Sequence, residues 1–220
     1  MIPPEQNAEF VANMEQVLDV YKRPYNEDFP VVCMDESPKQ LIEDVQTTDM
    51  EPGKPARTDY EYIRHGVANI FMANEPLKGR RIVEITERKT KEDWAEFAKK
   101  IADEMYPDAK KITLVMDNFP THTLGAFYTK FQPEEAKRLI DRFEFVYTPK
   151  HGSWLNMAEI ELHVLNGQCL NRHIDSIEKM QKEVKAWQEN RNNKNAKINW
   201  QFSTKDARIK LSRLYPTLKS

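Results

Sequence analysis

The stretch Lys110-Lys111-Ile112-Thr113-Leu114-Val115-Met116-Asp117-Asn118-Phe119-Pro120-Thr121-His122 decides the fold. Between two lysines and a polar turn stand five apolar or β-branched residues, the pattern of a short strand buried on both faces. Such a strand delivers Asp117 to its carboxyl end, the edge of an open α/β sheet at which ligands bind. Pro120 prevents strand or helix from simply continuing, so Asn118 and His122 fall on a turn beside that carboxylate. Val31-Val32-Cys33-Met34-Asp35-Glu36-Ser37 repeats the design and carries Asp35 out of a second apolar run. Glu36 beside it could serve as a neighbouring ligand, but alternation along a strand more often sends such a residue to the opposite face. Two aspartates on two buried strands are the start of a metal site.

Outward from these strands the chain reads as follows. After Ile2-Pro3-Pro4, the residues Phe10, Val11, Met14, Val17, Leu18 and Tyr21 form one helical stripe. Pro24 and Pro30 bracket a linker, and Gln46 to Thr58, with Pro52-Gly53 and Pro55, reads as an exposed loop. His65 to Met72 and Arg80 to Thr86 are β-branched runs joined by a turn around Pro76 and Gly79, which predicts an antiparallel hairpin. Thr90 caps a helix whose buried stripe is Trp94, Phe97, Ala98, Ile101, Ala102 and Met105, and Pro107 ends it. Pro133 opens another helix, with Ala136, Leu139, Ile140 and Phe143 inward, and Phe143 to Tyr147 is a fifth strand.

The remainder is helical. Ser153 or Asn156 starts a helix reaching about Leu170; Ile177, Met180, Val184 and Trp187 mark the next. The polar run Asn190 to Asn199 reads as a turn or hinge, and Ala207, Leu211 and Leu214 stripe a last short helix ending at Pro216. Strand, hairpin, helix, strand, helix, strand, helices: this order implies an α/β domain with a mixed five-stranded sheet between helices. The expected divisions are 1–28 (helix and linker), 29–172 (core) and 173–220 (helical extension with a basic tail).

With 220 residues, 40% of them hydrophobic and 10% aromatic, the chain supports one full core despite 31% charged residues. No apolar run approaches the roughly 18 residues of a membrane span, and no basic-then-apolar leader opens the sequence, so a cytoplasmic protein is expected. Cys33 and Cys169 lie in apolar segments without CxxC spacing and read as inert core thiols. The formal net charge is −2, which does not announce a nucleic-acid binder. Its distribution says more: from Lys185 onward, nine lysines and arginines, Arg208, Lys210 and Arg213 among them, face only Glu189 and Asp206. Such a tail can meet phosphates, although a solvated helix face is the commoner meaning.

A third acidic block follows the fifth strand. Tyr147-Thr148-Pro149-Lys150-His151-Gly152-Ser153-Trp154-Leu155-Asn156-Met157-Ala158-Glu159-Ile160-Glu161 places two glutamates in the first turns of a helix. Asp35, the block Asp117-Asn118-x-x-x-His122 and the block Leu155-Asn156-x-x-Glu159, in this order on these elements, resemble the DDE transposases of the mariner superfamily, and within it the bacterial insertion-sequence branch. The likeness runs on to Trp200-x-Phe202 and Ala207-Arg208-Ile209-Lys210-Leu211.

The resemblance implies a ribonuclease-H-like fold with strand order 3-2-1-4-5. It implies a DNA strand-cleaving and strand-transferring enzyme that uses two Mg²⁺ (or Mn²⁺) ions about 3.5–4 Å apart. Hard oxygen donors without cysteine suit those ions. Asp35 bridges both ions in this scheme, Asp117 holds one and Glu159 the other. Asn118, His122, Lys150, His151, Arg208, Lys210 and Arg213 are the DNA-contact candidates. Double-stranded DNA, as element ends and target, is the expected partner, with a homodimer on DNA, in a prokaryotic cytoplasm at the nucleoid. The family's N-terminal helix-turn-helix module has no counterpart in these residues, so a catalytic part missing its end-recognition module is expected.

The third position stays open between two glutamates. Asn156-x-x-Glu159 is also a capping-box spacing, in which Glu159 closes on its own helix. Glu161 is the second choice, because on a helical wheel it falls within the arc of Met157, Ile160, Val164 and Leu165. Two further readings are an inactive remnant that binds DNA or a partner subunit without cutting, and a stand-alone ribonuclease-H-like nuclease.

Overall fold

A computed structural model describes residues 2–3, 5–45 and 62–217. The loop expected over Gln46 to Thr58 lies outside the described residues. The elements, in chain order, are α1 (Ala8–Tyr21), β1 (Val31–Asp44), β2 (Tyr62–Glu75), β3 (Arg80–Thr86), α2 (Lys91–Lys100), β4 (Ile112–Met116), α3 (Leu124–Lys130), α4 (Pro133–Arg142), β5 (Phe143–Tyr147), α5 (Met157–Leu165), α6 (Ile177–Asn193) and α7 (Thr204–Lys210). One five-stranded sheet has the order β3-β2-β1-β4-β5, as expected. β1, β2 and β3 pair antiparallel; β4 pairs parallel with β1 and with β5.

Strand alternation sorts the apolar residues onto two faces. Val32, Met34, Leu114 and Met116 pack with Trp94, Phe97 and Phe127 in one core, beneath α2, α3 and α4. Cys33, Ile70, Met72, Val115 and Val146 pack with Met14, Val17, Leu18, Ala158 and Leu165 in the other, beneath α1, α5 and α6. The helix over Trp94 to Met105 starts at a full capping box between Thr90 and Asp93 and closes in a π-helical turn, Ile101–Met105, before Pro107. Among the described residues no helix is long and apolar enough to cross a membrane.

Four features depart from the sequence reading. β1 runs 14 residues, through Pro38, rather than stopping at Ser37. It pairs with β4 only over Val31–Cys33, so beyond that point one side is free and a residue without an N–H is tolerated. A register shift between Gln40 and Ile42 is taken up opposite Gly66, whose φ is +99° in open space, so glycine is needed there for conformation and not for room. Second, α3 was not foreseen: of its seven residues only Ala126 and Phe127 are buried, too few for a periodic signal.

Third, α6 continues through Asn193, into the stretch read as a turn or hinge. One face of it supplies side-chain amides to the free edge of β3. Gln188 Oε1 accepts from Val83 N at 2.6 Å, Asn192 both accepts from Arg81 N and donates to Arg81 O at 2.9 Å, and Gln181 Nε2 donates to Ile85 O at 3.2 Å. Fourth, the last helix splits into α7 and a 3₁₀ turn, Ser212–Leu214. The C-terminal segment lies back along α1. Arg208 forms a bidentate pair with Glu15 at 2.8 and 2.9 Å, and Asn7 N donates to Leu214 O at 3.0 Å.

Candidate active site

The parallel register of β1 and β4 pairs Val31 with Thr113, Val32 with Leu114 and Cys33 with Val115. Two residues beyond this last pair stand Asp35, within β1, and Asp117, the first residue after β4; continuing the register and the strand alternation would set them side by side on the face of Cys33 and Val115. β4 ends at Met116 while β1 runs on beside β2, so the sheet opens a notch at this point. α5 packs on this face against β1 and β2. Asn156 fixes its start: fully buried, it accepts from Ala158 N at 3.1 Å through Oδ1 and donates to Met34 O at 2.7 Å through Nδ2. One side chain thus caps the helix that carries Glu159 and ties it to the residue before Asp35.

The three carboxylates share an electrostatic site. Asp35 is pushed up to about 7, first by burial and then by the negative charges of Asp117, Glu159 and Glu36, against a 2.8 Å bond from Glu36 N to its Oδ1. Among the described residues no lysine or arginine pairs with Asp35, Asp117 or Glu159; the one basic partner is His122, 2.8 Å from Asp117 Oδ1. Hard oxygen donors whose charge only His122 offsets fit a divalent cation. Among the described residues no group of three or more histidine, cysteine, aspartate or glutamate side chains is already spaced to hold a metal ion, so the carboxylates would have to draw together around one.

The capping-box rival for Glu159 does not form: Asn156 caps through Ala158 N, and among the described residues the Glu159 carboxylate has no hydrogen-bond or ion-pair partner. Glu161 is turned inward, as the wheel predicts, and is fully buried. What meets it is a pair of guanidiniums, Arg191 Nη2 at 2.7 Å and Arg81 Nε at 3.2 Å. The carboxylate expected as the alternative third ligand thus faces Arg191 of α6 and Arg81 of β3.

His122 is not a surface residue. It is 3% exposed; its Nε2 lies 3.0 Å from Glu36 Oε1, and its ring stacks on Trp94 with centroids 5.4 Å apart. Burial alone would lower its basicity, but the carboxylates of Asp117 and Glu36 outweigh it and hold the imidazole up at about 9. Both ring nitrogens of this DNA-contact candidate therefore face acceptors inside the protein. Asn118, next to Asp117, is exposed, as are Lys150 and His151 on the turn after β5, His151 with φ +65°. Arg208 is committed to Glu15, Lys210 lies over the Phe202 ring at 5.7 Å, and Arg213 is exposed on the 3₁₀ turn. The sequence reading missed the part played by Glu36 and Trp94. Alternation shows that Glu36 leaves the Asp35 face but not what it meets there.

Residues 30–181 match the family model described as DDE superfamily endonuclease, more than half of the chain. The chain belongs to that family. No curated protein matches it in sequence. The DDE domain is similar in fold to the Mos1 mariner paired-end complex crystallised with Mn, at a TM-score of 0.59 and 16% identity over 89% of this chain and 60% of that one. The Mos1 strand transfer complex gives 0.58 and 17% over 89% and 63%, and the Mos1 paired-end complex with Mg gives 0.57 and 15% over 99% and 66%. This likeness makes the sheet of the DDE domain ribonuclease-H-like. The domain spans about 60% of the first of those chains.

Proposed function

We propose that this DDE domain is the catalytic part of a transposase that cleaves DNA strands and transfers them, with Asp35, Asp117 and Glu159 holding two Mg²⁺ or Mn²⁺ ions. The observation that carries this reading is that the charges of Asp117, just past β4, and Glu159, on α5, both act on Asp35 of β1, which burial first and then these acids hold up to about 7. Glu159 rather than Glu161 is the third ligand, since Glu159 adds to the field at Asp35 while Glu161 serves a buried ion triad. The Mos1 neighbours are DNA complexes crystallised with Mn or Mg, which supports the same partner and ions here.

When bound, divalent cations activate an attacking oxygen and stabilise the leaving one. The chain's own work is to hold its acidic oxygens on one face of a rigid sheet, with Asn156 fixing the approach of α5 to β1. Asn118, Lys150 and His151, all exposed, are the candidates for the DNA backbone. In this reading end recognition would fall to a helix-turn-helix module, and the active form would be a homodimer on two ends. The motif register favours the bacterial insertion-sequence branch.

Asp35→Ala and Asp117→Ala are each expected to abolish Mn²⁺-dependent nicking of labelled element-end DNA while the far-UV spectrum stays that of the parent. Normal cleavage by either pure variant would overturn the assignment. Competition by an RNA–DNA hybrid separates a transposase from a general ribonuclease-H-like nuclease.

A further inference from the structure

The notch has two sides, and the side away from the three carboxylates holds a buried acid that is not among the proposed metal ligands. Glu36 follows Asp35 on β1 and so projects to the opposite face, where its side chain is 6% exposed. A carboxylate at that depth is costly unless a donor meets it. The donor is His122, whose Nε2 is 3.0 Å away. The same ring presents Nδ1 to Asp117, 2.8 Å from Oδ1 and 3.1 Å from the main-chain oxygen. His122 therefore passes round the end of β4 and joins one face of the sheet to the other.

Everything around the ring restrains it. Trp94 stacks against one side with an interplanar angle of 29°, and Phe119 lies 5.9 Å away, centroid to centroid. The backbone of His122 is held as well: its N–H donates to Phe119 O at 2.9 Å, and its carbonyl accepts from Tyr147 Oη at 3.3 Å. Asp117 itself has little to fix it. It lies one residue beyond the last residue of β4, and its side chain is 37% exposed. Without the ring, that carboxylate would be free to rotate about the end of the strand.

We propose that Glu36 is a positioning residue for Asp117, acting through the His122 ring to hold one carboxylate oxygen and leave the other for a cation. The inference rests on the metal-binding reading of Asp117. A plain structural pair would stabilise the fold and do nothing for the cation. A positioning pair sets how well the cation binds, because partners that orient a ligand typically change metal affinity about 10- to 100-fold when removed.

The test is Mn²⁺ binding to the purified chain, followed by the electron paramagnetic resonance signal of free Mn²⁺. Glu36→Leu removes the acceptor at similar volume, and Glu36→Asp withdraws the oxygens by one methylene with the charge kept. The expected result is a Kd raised about 10- to 100-fold for Glu36→Leu and more than about threefold for Glu36→Asp. The Mn²⁺ concentration for half-maximal nicking rises in step, and the maximal rate at saturating Mn²⁺ stays within a few-fold. Near-UV circular dichroism reports folding, and Glu36→Asp decides the matter if Glu36→Leu does not fold. Affinity within twofold of the parent in the folded variants, with or without a lower Tm, overturns the proposal. Asp117→Ala is the control: if it loses Mn²⁺ while the Glu36 variants keep it, only the positioning role fails, and if it binds as the parent does, the metal reading fails with it.

Discussion

Asp35 is an acid placed where the fold alone gains nothing from its charge. Its folded value of about 7 lies above the ordinary 3.8, because burial and three neighbouring acids oppose ionisation. The linkage has a definite sign. A raised folded value means that the contribution to stability is present in full below about 3.8 and is lost as pH rises through 7. Asn in the same place carries no charge at any pH. Asp35→Asn is therefore expected to make the cation-free domain more stable at pH 8, by roughly 1–3 kcal/mol once water access to the notch is allowed for, and to leave it unchanged near pH 4. Urea midpoints at the two pH values check this. An equal or lower midpoint for Asp35→Asn at pH 8 would show that Asp35 is not strained by its surroundings.

At the scale of elements, β3 is an edge strand whose free backbone groups are met by amides from a helix. Asn192 bonds both the N–H and the C=O of Arg81, and Arg81 in turn pairs with Glu161 and donates to Ala196 O at 2.6 Å. Asn192→Ala leaves two backbone groups unsatisfied at a site where Arg81 is 2% exposed. The expected cost is about 1–3 kcal/mol, with hydrogen exchange at Arg81 N accelerating more than at the centre of β2. Equal protection in variant and parent would mean that the ladder is incidental. The same junction shows what sequence could and could not reveal. β3, β4 and β5 were legible because their apolar runs are local and short, and the α2 stripe because its period repeats. The end of α6 was not, because Asn190 to Asn193 is polar and its helical form depends on a strand more than 100 residues earlier. α3 was hidden by its length and by Gly125. Asp35 and Asp117 are singled out by the apolar runs before them, although β1 runs on past Asp35 and only Asp117 follows a strand end, whereas Glu36 meeting His122 requires a path around β4 that no periodicity encodes.

For the molecule as a whole, the notch concentrates negative charge on a chain whose formal net charge is only −2, and that placement links cation binding to global stability. A ligand that binds the folded state alone stabilises by about 2.7 kcal/mol at one hundred times its Kd. In a domain of this size such a gain raises Tm by several degrees, at roughly 2–4 °C per kcal/mol. Asp35 must be ionised to hold the ion, so the effect depends on pH. With a value of about 7, Asp35 is mostly protonated at pH 6 and mostly ionised at pH 8. Across that interval the apparent affinity rises about tenfold, worth about 1.4 kcal/mol at fixed Mn²⁺. His122, held at about 9, keeps its proton through most of the interval and adds little. The Mn²⁺-induced rise in Tm is thus expected to be about 3–6 °C larger at pH 8 than at pH 6. Asp35→Asn should lose both the rise and its pH dependence, so the parent overtakes the more stable variant only when Mn²⁺ is present. Scanning calorimetry of the two proteins, each with and without Mn²⁺ at both pH values, measures this directly. A rise of the same size at pH 6 and pH 8 in the parent would remove Asp35 from the cation site and leave its unfavourable burial without a purpose.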